Sequence, residues 1–203
     1  MTKHHELLTH LKKDKILKKV IQTVGEIKTE KNLDLYFSLM RSIVSQQLSV
    51  KAAATIWGRF LDLFKDRYPD AKILLKINDD KLRAVGLSYQ KAGYLKNIAR
   101  FSLDKTLEYK LLKSKTDDEL IDYLIEIKGV GRWTVEMLLM FSLKRDDVFP
   151  VDDLGIQNGI KILYNLNSEN KKQLYSQMLE IAENWRPYRS IACMYIWRHK
   201  DSK

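Results

Sequence analysis

The sequence predicts an all-α protein, and three observations carry that prediction. Prolines number three and glycines eight in 203 residues, so helix breakers are sparse. Apolar residues recur at helical spacing along the chain, and period-2 runs joined by hairpin turns are not evident. No repeat of 20–50 residues and no low-complexity linker divides the pattern. About ten short helices are expected.

Leu7, Leu8, Leu11, Leu17 and Val20 suit a single basic amphipathic opening helix. Tyr36, Phe37, Met40, Ile43 and Val44 fall on one face of a second. Ala52–Phe64, with Ile56, Phe60 and Leu63, suits a third. Gly86 and Gly93 bracket a turn into a helix that runs to about Phe101. Leu120, Ile121, Leu124 and Ile127 form a stripe, with Thr116 or Asp117 as its N-cap. Trp133, Met137, Leu138 and Phe141 form the next. The polar segment 146–152, broken by Pro150, ends it. Ile156, Ile160, Leu163 and Tyr164 restart a helix after Asp153. Ser168 is placed to cap a helix to about Glu183, and Pro187 suits the first turn of a last helix through Trp197.

Composition narrows the function. Hydrophobic residues make up 45%, enough for a packed core. A net charge of +10 favours a polyanionic partner: DNA, RNA or an anionic membrane surface. The bland alternative is a lysine-rich soluble protein. One cysteine, Cys193, excludes an internal disulfide, an all-cysteine iron–sulfur cluster and a multi-cysteine zinc site, and fits an intracellular protein. The four histidines lie near the termini and form no metal-binding helix pattern. The N-terminus has no apolar signal region. The clearest apolar run, Ile191–Trp197, is seven residues, far short of the roughly 20 that span a bilayer.

Four segments carry chemistry. Lys128-Gly129-Val130-Gly131 reads as a tight turn between two helical patterns. Glycine permits the turn and a close approach to another surface. The N–H groups opening the next helix form a phosphate site. Lys128 and Arg132 flank the turn with positive charge. An ordinary turn between packed helices is the alternative. Asp152-Asp153 precede an apolar-periodic run, which is what an N-cap looks like, although neither has Glu or Gln three residues on. A carboxylate there is also held ionised by the helix dipole and can stabilise a developing cation or orient a water. Residues 185–198 are dense in aromatics and arginines, whose rings either pack a core or stack on a base. Residues 188, 191, 192 and 195 share a face, and Trp197 lies outside it. Ser45-Gln46-Gln47-Leu48-Ser49 sets amides between apolar flanks, either as a polar helix end or as a loop tip that enters a DNA groove.

In chain order, the four segments with their flanks and a fifth stretch at 86–92 read Ile-Val-Ser-Gln-Gln-Leu-Ser (43–49), Gly-Leu-Ser-Tyr-Gln-Lys-Ala (86–92), Lys-Gly-Val-Gly-Arg-Trp-Thr (128–134), Phe-Pro-Val-Asp-Asp-Leu-Gly (149–155), and Trp-Arg-Pro-Tyr-Arg-Ser-Ile-Ala (185–192) leading into Tyr-Ile-Trp-Arg (195–198). Together they resemble the helix-hairpin-helix DNA glycosylase superfamily, and within it the alkylpurine branch typified by DNA-3-methyladenine glycosylase II, over residues 35–198.

The resemblance implies a two-lobed helical bundle with a DNA cleft between the lobes. The central lobe spans about 35–145, and the other combines about 1–34 with 146–203. It implies a monofunctional enzyme that flips alkylated purines out of duplex DNA and hydrolyses the N-glycosidic bond in base excision repair. A glycosylase for another damaged base, such as an oxidised purine, and a non-catalytic DNA-binding module stand as alternatives.

By the same resemblance Asp153 is the catalytic carboxylate, and Trp133, Trp197 and Met137 line the base pocket. Met137 stands where an aromatic is familiar. Gln46, Gln47, Lys128, Gly129, Val130, Gly131 and Arg132 meet the DNA, with Gln47 at the wedge position and Gln46 the alternative for it. Trp133 holds the place where lyase members carry a lysine, so no strand cleavage is expected. No cofactor is implied beyond a monovalent cation at the backbone of Ile127 and Gly129. The match leaves no room for the β-rich N-terminal domain of some bacterial members. A monomer is expected, with double-stranded damaged DNA as partner and no membrane association, located in the cytoplasm with the nucleoid in a prokaryote or in the nucleus of a eukaryote.

Overall fold

The computed structural model describes residues 3–27, 33–167 and 170–201, and these hold thirteen α-helices, one 3-10 turn and no strand. The chain divides into two compact units, Met1–Glu30 with Lys144–Lys203, and Lys31–Leu143.

The first unit opens with α1 (Lys3–Leu11) and α2 (Lys15–Val24) where the apolar spacing suggested one helix. The break is chemical. Asp14 leaves helical geometry and its Oδ1 accepts the N–H groups of Ile16 and Leu17, starting a new helix. Leu7, Leu11, Leu17, Val20 and Ile21 are all buried.

The second unit is built on α3 (Leu35–Ser45), in which Leu39, Met40, Ile43 and Val44 are fully buried. Next comes α4 (Val50–Leu61), which ends three residues before Phe64. The turn Lys65–Arg67 and the short helices α5 (Ala71–Lys76) and α6 (Asp79–Ala84) follow. Asp70 and Asn78 cap the last two. These six-residue pieces show little periodicity, and they raise the count above ten. Ser88, by accepting the Lys91 N–H, starts α7 (Tyr89–Asp104), which runs a turn past Phe101 and packs on α3, α5 and α6. After α8 (Tyr109–Leu112), Thr116 and Glu119 form a reciprocal capping box at the head of α9 (Asp117–Ile125). The expected stripe of α9 is buried throughout.

Helix α10 (Arg132–Phe141) departs from expectation. Its core face is Thr134, Val135, Leu138, Leu139 and Met140, whereas Trp133 and Phe141 are 38% and 41% exposed. The helix is apolar nearly all round, so spacing alone does not select the buried face.

The chain then returns to the first unit through α11 (Leu154–Leu163), α12 (Lys171–Glu183) and α13 (Arg189–Asp201). Ser168 lies outside the described residues, and Asn170 caps α12 by accepting the Lys172 and Gln173 N–H groups. Pro187 stands two residues before α13 rather than in its first turn. There Arg189 donates to the Asp147 carboxylate at 2.7 Å and to the Asp147 carbonyl at 2.7 Å, which ties the start of α13 to the 144–153 connection. Residues Ala192–Ile196 are all buried against α2 and α11.

Candidate active site and DNA-contact loops

Asp153 has backbone angles outside the helix and its Oδ1 accepts the Ile156 N–H at 2.8 Å, so it is the N-cap of α11. The indole N–H of Trp197 donates to the same oxygen at 3.0 Å. Two residues that are 44 apart in sequence therefore meet on one atom. Both are half-buried. Gly155 makes the meeting possible. A Cβ built there would lie 2.9 Å from Asp153 Oδ1 and 3.0 Å from the Trp197 indole nitrogen. The neighbouring Asp152 accepts the Tyr175 hydroxyl, and Gln157 donates to that hydroxyl at 3.1 Å and to the Val151 carbonyl at 2.7 Å. Asp152 is thus tied to α12, and Asp153 to α13.

In the second unit the glycine hairpin joins α9 to α10. Gly129 takes φ +107°, and a Cβ there would fall 2.2 Å from the Tyr94 ring. Only glycine fits. Val130 turns inward, 5% exposed, and its N–H closes the turn on the Ile127 carbonyl at 2.9 Å. The Val130 side chain is therefore a plug under the hairpin rather than an outward contact. Asn97 donates to the Lys128 carbonyl at 3.0 Å. Gly131 is the N-cap of α10 and has no side chain with which to cap it. The exposed start of α10 presents main-chain N–H groups and the positive end of the helix dipole. Lys128 is exposed, and Arg132 donates to buried Glu136 at 3.1 Å while its side chain stays 61% exposed.

The amide loop divides in two. Gln46 ends α3 and its side chain donates to the Thr134 hydroxyl at 3.3 Å. Gln47 stands exposed, with φ 56° in the left-handed region. The Lys91 ammonium donates to the Val44 carbonyl at 2.8 Å and the Gln46 carbonyl at 2.7 Å. Lys91 lies in the Gly-Leu-Ser-Tyr-Gln-Lys-Ala segment, but no local pattern in the chain marks Lys91, Tyr94 or Asn97 as supports of these loops. Met137 is half-buried on α10, one turn beyond Trp133. Among the described residues no group of three or more His, Cys, Asp or Glu is placed to hold a metal ion, and no helix is long and apolar enough to cross a membrane. Cys193 is buried.

A helical chain with a glycine hairpin opening one helix and an aspartate capping a later one defines a class, and the family comparison agrees with it. Residues 40–186 match the model of the HhH-GPD superfamily of base excision DNA repair proteins, and the chain belongs to that family. Its relatives narrow the likeness. It is 36% identical over 190 residues to DNA-3-methyladenine glycosylase 1 of Schizosaccharomyces pombe, covering 91% of this chain and 82% of that one. It is 34% identical to a putative DNA-3-methyladenine glycosylase of Bacillus subtilis, covering 81% of this chain but only 58% of the relative. The solved structure of the Schizosaccharomyces pombe 3-methyladenine DNA glycosylase in complex with abasic DNA superposes with a TM-score of 0.85 at 34% identity, over 95% of both chains.

Proposed function

We propose that this protein is a monofunctional DNA glycosylase, active as a monomer, that flips alkylated purines of the 3-methyladenine type out of duplex DNA and hydrolyses their N-glycosidic bond. The observation that carries the reading is the Asp153–Trp197 pair at the head of α11, in a chain that belongs to a base-excision-repair family. The relatives named as DNA-3-methyladenine glycosylases direct the substrate to alkylated purines.

An alkylated purine carries positive charge, so it departs with the electron pair of the C1′–N bond and becomes neutral. Positive charge then develops on the sugar. Asp153 stabilises it as a fixed carboxylate, held by the Trp197 indole and by the first turn of α11. Water adds to C1′ and releases its proton to solvent. Flipping costs a few kcal/mol of unstacking. On this reading Gln47, at the exposed tip of its loop, fills the vacated stack. Gln46, bonded to Thr134, supports the loop from behind.

By the resemblance, Trp133 and Met137 of the second unit are assigned to base recognition, and so, separately, is Trp197 of the first; the two tryptophans carry aromatic faces of the kind that attract a cationic ring. The hairpin 128–131, with Lys128 and Arg132 beside it, is assigned to the DNA backbone. Asn97 and Val130 hold that turn in shape. A monovalent cation suits the carbonyl oxygens of Ile127 and Gly129 there, where neutral oxygen donors match a hard monovalent ion. Trp133 in place of a lysine means no strand cleavage. The site of action is wherever chromosomal DNA lies, the nucleoid or the nucleus.

The test is a panel of duplexes bearing 3-methyladenine, 7-methylguanine or an oxidised purine, scored for free base and for strand breaks. Release of methylated purine with intact strands is expected. Release of oxidised purine alone would replace the substrate assignment, and no release from any duplex would falsify the enzyme reading.

A further inference from the structure

Three features of α7 face the two loops assigned above to DNA, and all lie in one unit. Lys91, near its start, donates to the Val44 and Gln46 carbonyls at 2.8 and 2.7 Å. These carbonyls belong to the last turn and C-cap of α3, where the dipole concentrates negative charge and a cation is well placed. Tyr94, three residues on, lies under Gly129 so closely that no Cβ fits. Asn97, three further, holds the Lys128 carbonyl at 3.0 Å. From Lys91 to Asn97 the helix rises only about 9 Å. One short stretch of a sixteen-residue helix therefore holds both loops.

Lys91 is half-buried, and desolvation lowers its pKa. A lysine kept in such a place, with its ammonium on two main-chain carbonyls, is not a solvated surface cation. Gln47 follows immediately after the clamped Gln46 carbonyl and holds a left-handed φ of 56°. That conformation is uncommon for a residue other than glycine and persists only where its surroundings enforce it.

We propose that Lys91 is a positioning residue for base flipping: it clamps the end of α3 to α7, so that Gln47 is presented in fixed register with the hairpin 128–131. This rests on the glycosylase reading above. The clamp acts on the wedge and not on the backbone anchor, because the hairpin has its own ties to α7 through Tyr94 and Asn97. Loss of Lys91 therefore separates flipping from binding.

Lys91→Met keeps the aliphatic stem and removes the ammonium. Three quantities are measured: affinity for undamaged duplex, single-turnover base release from methylated duplex at saturating protein, and fluorescence of a 2-aminopurine placed beside the lesion. Misplacing a group by about 1 Å costs up to about a hundredfold in rate, so a fall in base release of about tenfold to a hundredfold is expected. The fluorescence rise on binding shrinks in parallel. Affinity for undamaged duplex stays within about threefold, since backbone contacts supply essentially all of non-specific binding. A purely structural lysine would move the thermal midpoint and leave the release rate of the folded fraction alone, and that result overturns the inference. If Lys91→Met does not fold, Lys91→Gln, which shortens the side chain and removes its charge, is expected to show the same split; unchanged base release in that variant likewise overturns it. Wild-type protein that releases no base from any lesion fails the underlying reading instead. Active wild type matched by the variant fails this inference alone.

Discussion

The Trp197 indole N–H and the Ile156 backbone N–H converge on one oxygen of Asp153, at 3.0 and 2.8 Å. Capping and the assigned catalytic role therefore share a side chain, and the two can be separated. Asparagine caps helices about as well as aspartate. Asp153→Asn is expected to keep the fold and the affinity for duplex, yet to lose base release by about a hundredfold or more, since a fixed charge facing the developing cation is gone. Single-turnover assays beside a thermal melt check this. Retained excision sinks the assignment.

Trp197→Phe keeps a ring and deletes the donor. A hydrogen bond to a charged group contributes about 1.5–3 kcal/mol, which corresponds to roughly ten- to a hundredfold in rate. The expected loss falls on the rate at saturation, measured by quench-flow or manual sampling. An unchanged rate would mean that the indole only packs.

Two glycines of α11 make a graded pair. Gly155→Ala places a Cβ at 2.9 Å from Asp153 Oδ1 and 3.0 Å from the Trp197 nitrogen, so it disturbs the pair and lowers base release. Gly159→Ala meets Ile196 of α13 at 2.3 Å, inside the core of the first unit. Overpacking of this kind costs about 1–3 kcal/mol. Calorimetry on both variants is expected to show the larger fall in Tm for Gly159→Ala.

Gly129→Ala forces a side chain onto the Tyr94 ring at a φ of +107°. The hairpin must shift, so duplex affinity drops and its salt dependence flattens as phosphate contacts are lost. Binding titrations between 50 and 200 mM salt (roughly the range over which such contacts dominate) test it. A variant with wild-type slope would place the backbone grip elsewhere.

Asp14 links acid stability to the first unit. Burial pushes its carboxyl pKa up, but hydrogen bonds from the Tyr164 hydroxyl, the Leu17 N–H, the Trp185 indole and the Ile16 N–H outweigh it. The value lies below the ordinary 3.8. A carboxylate with a depressed folded pKa stabilises the protein above the unfolded value, and that stability is lost as pH falls through the folded one. Wild type should therefore lose stability relative to Asp14→Asn as pH drops below about 4, while Asp14→Ala, which also removes the cap, costs about 1–3 kcal/mol at neutral pH. Urea melts from pH 6 downward read both (over roughly the carboxylate range).

Local chemistry was legible in the chain. Helix spacing, a cap at Thr116 or Asp117, the turn at Gly129–Gly131 and an Asp before the Ile156–Ile160 pattern all depend on residues within a few positions of one another, and the structure shows helices, a capping box on Thr116, a tight turn and an N-cap at Asp153. The misreadings are also local ones, where two patterns competed. Asp14 interrupts an apolar stripe that continues across it. The nearly uniform apolarity of α10 hid which face is core. What only tertiary structure decided is pairing at a distance: Trp197 on Asp153 across 44 residues, Lys91 on α3 across 45 and 47, and Asn97 under the hairpin across 31. No periodicity encodes such contacts. They follow from how α3, α7 and the hairpin pack in one unit, and α11 and α13 in the other.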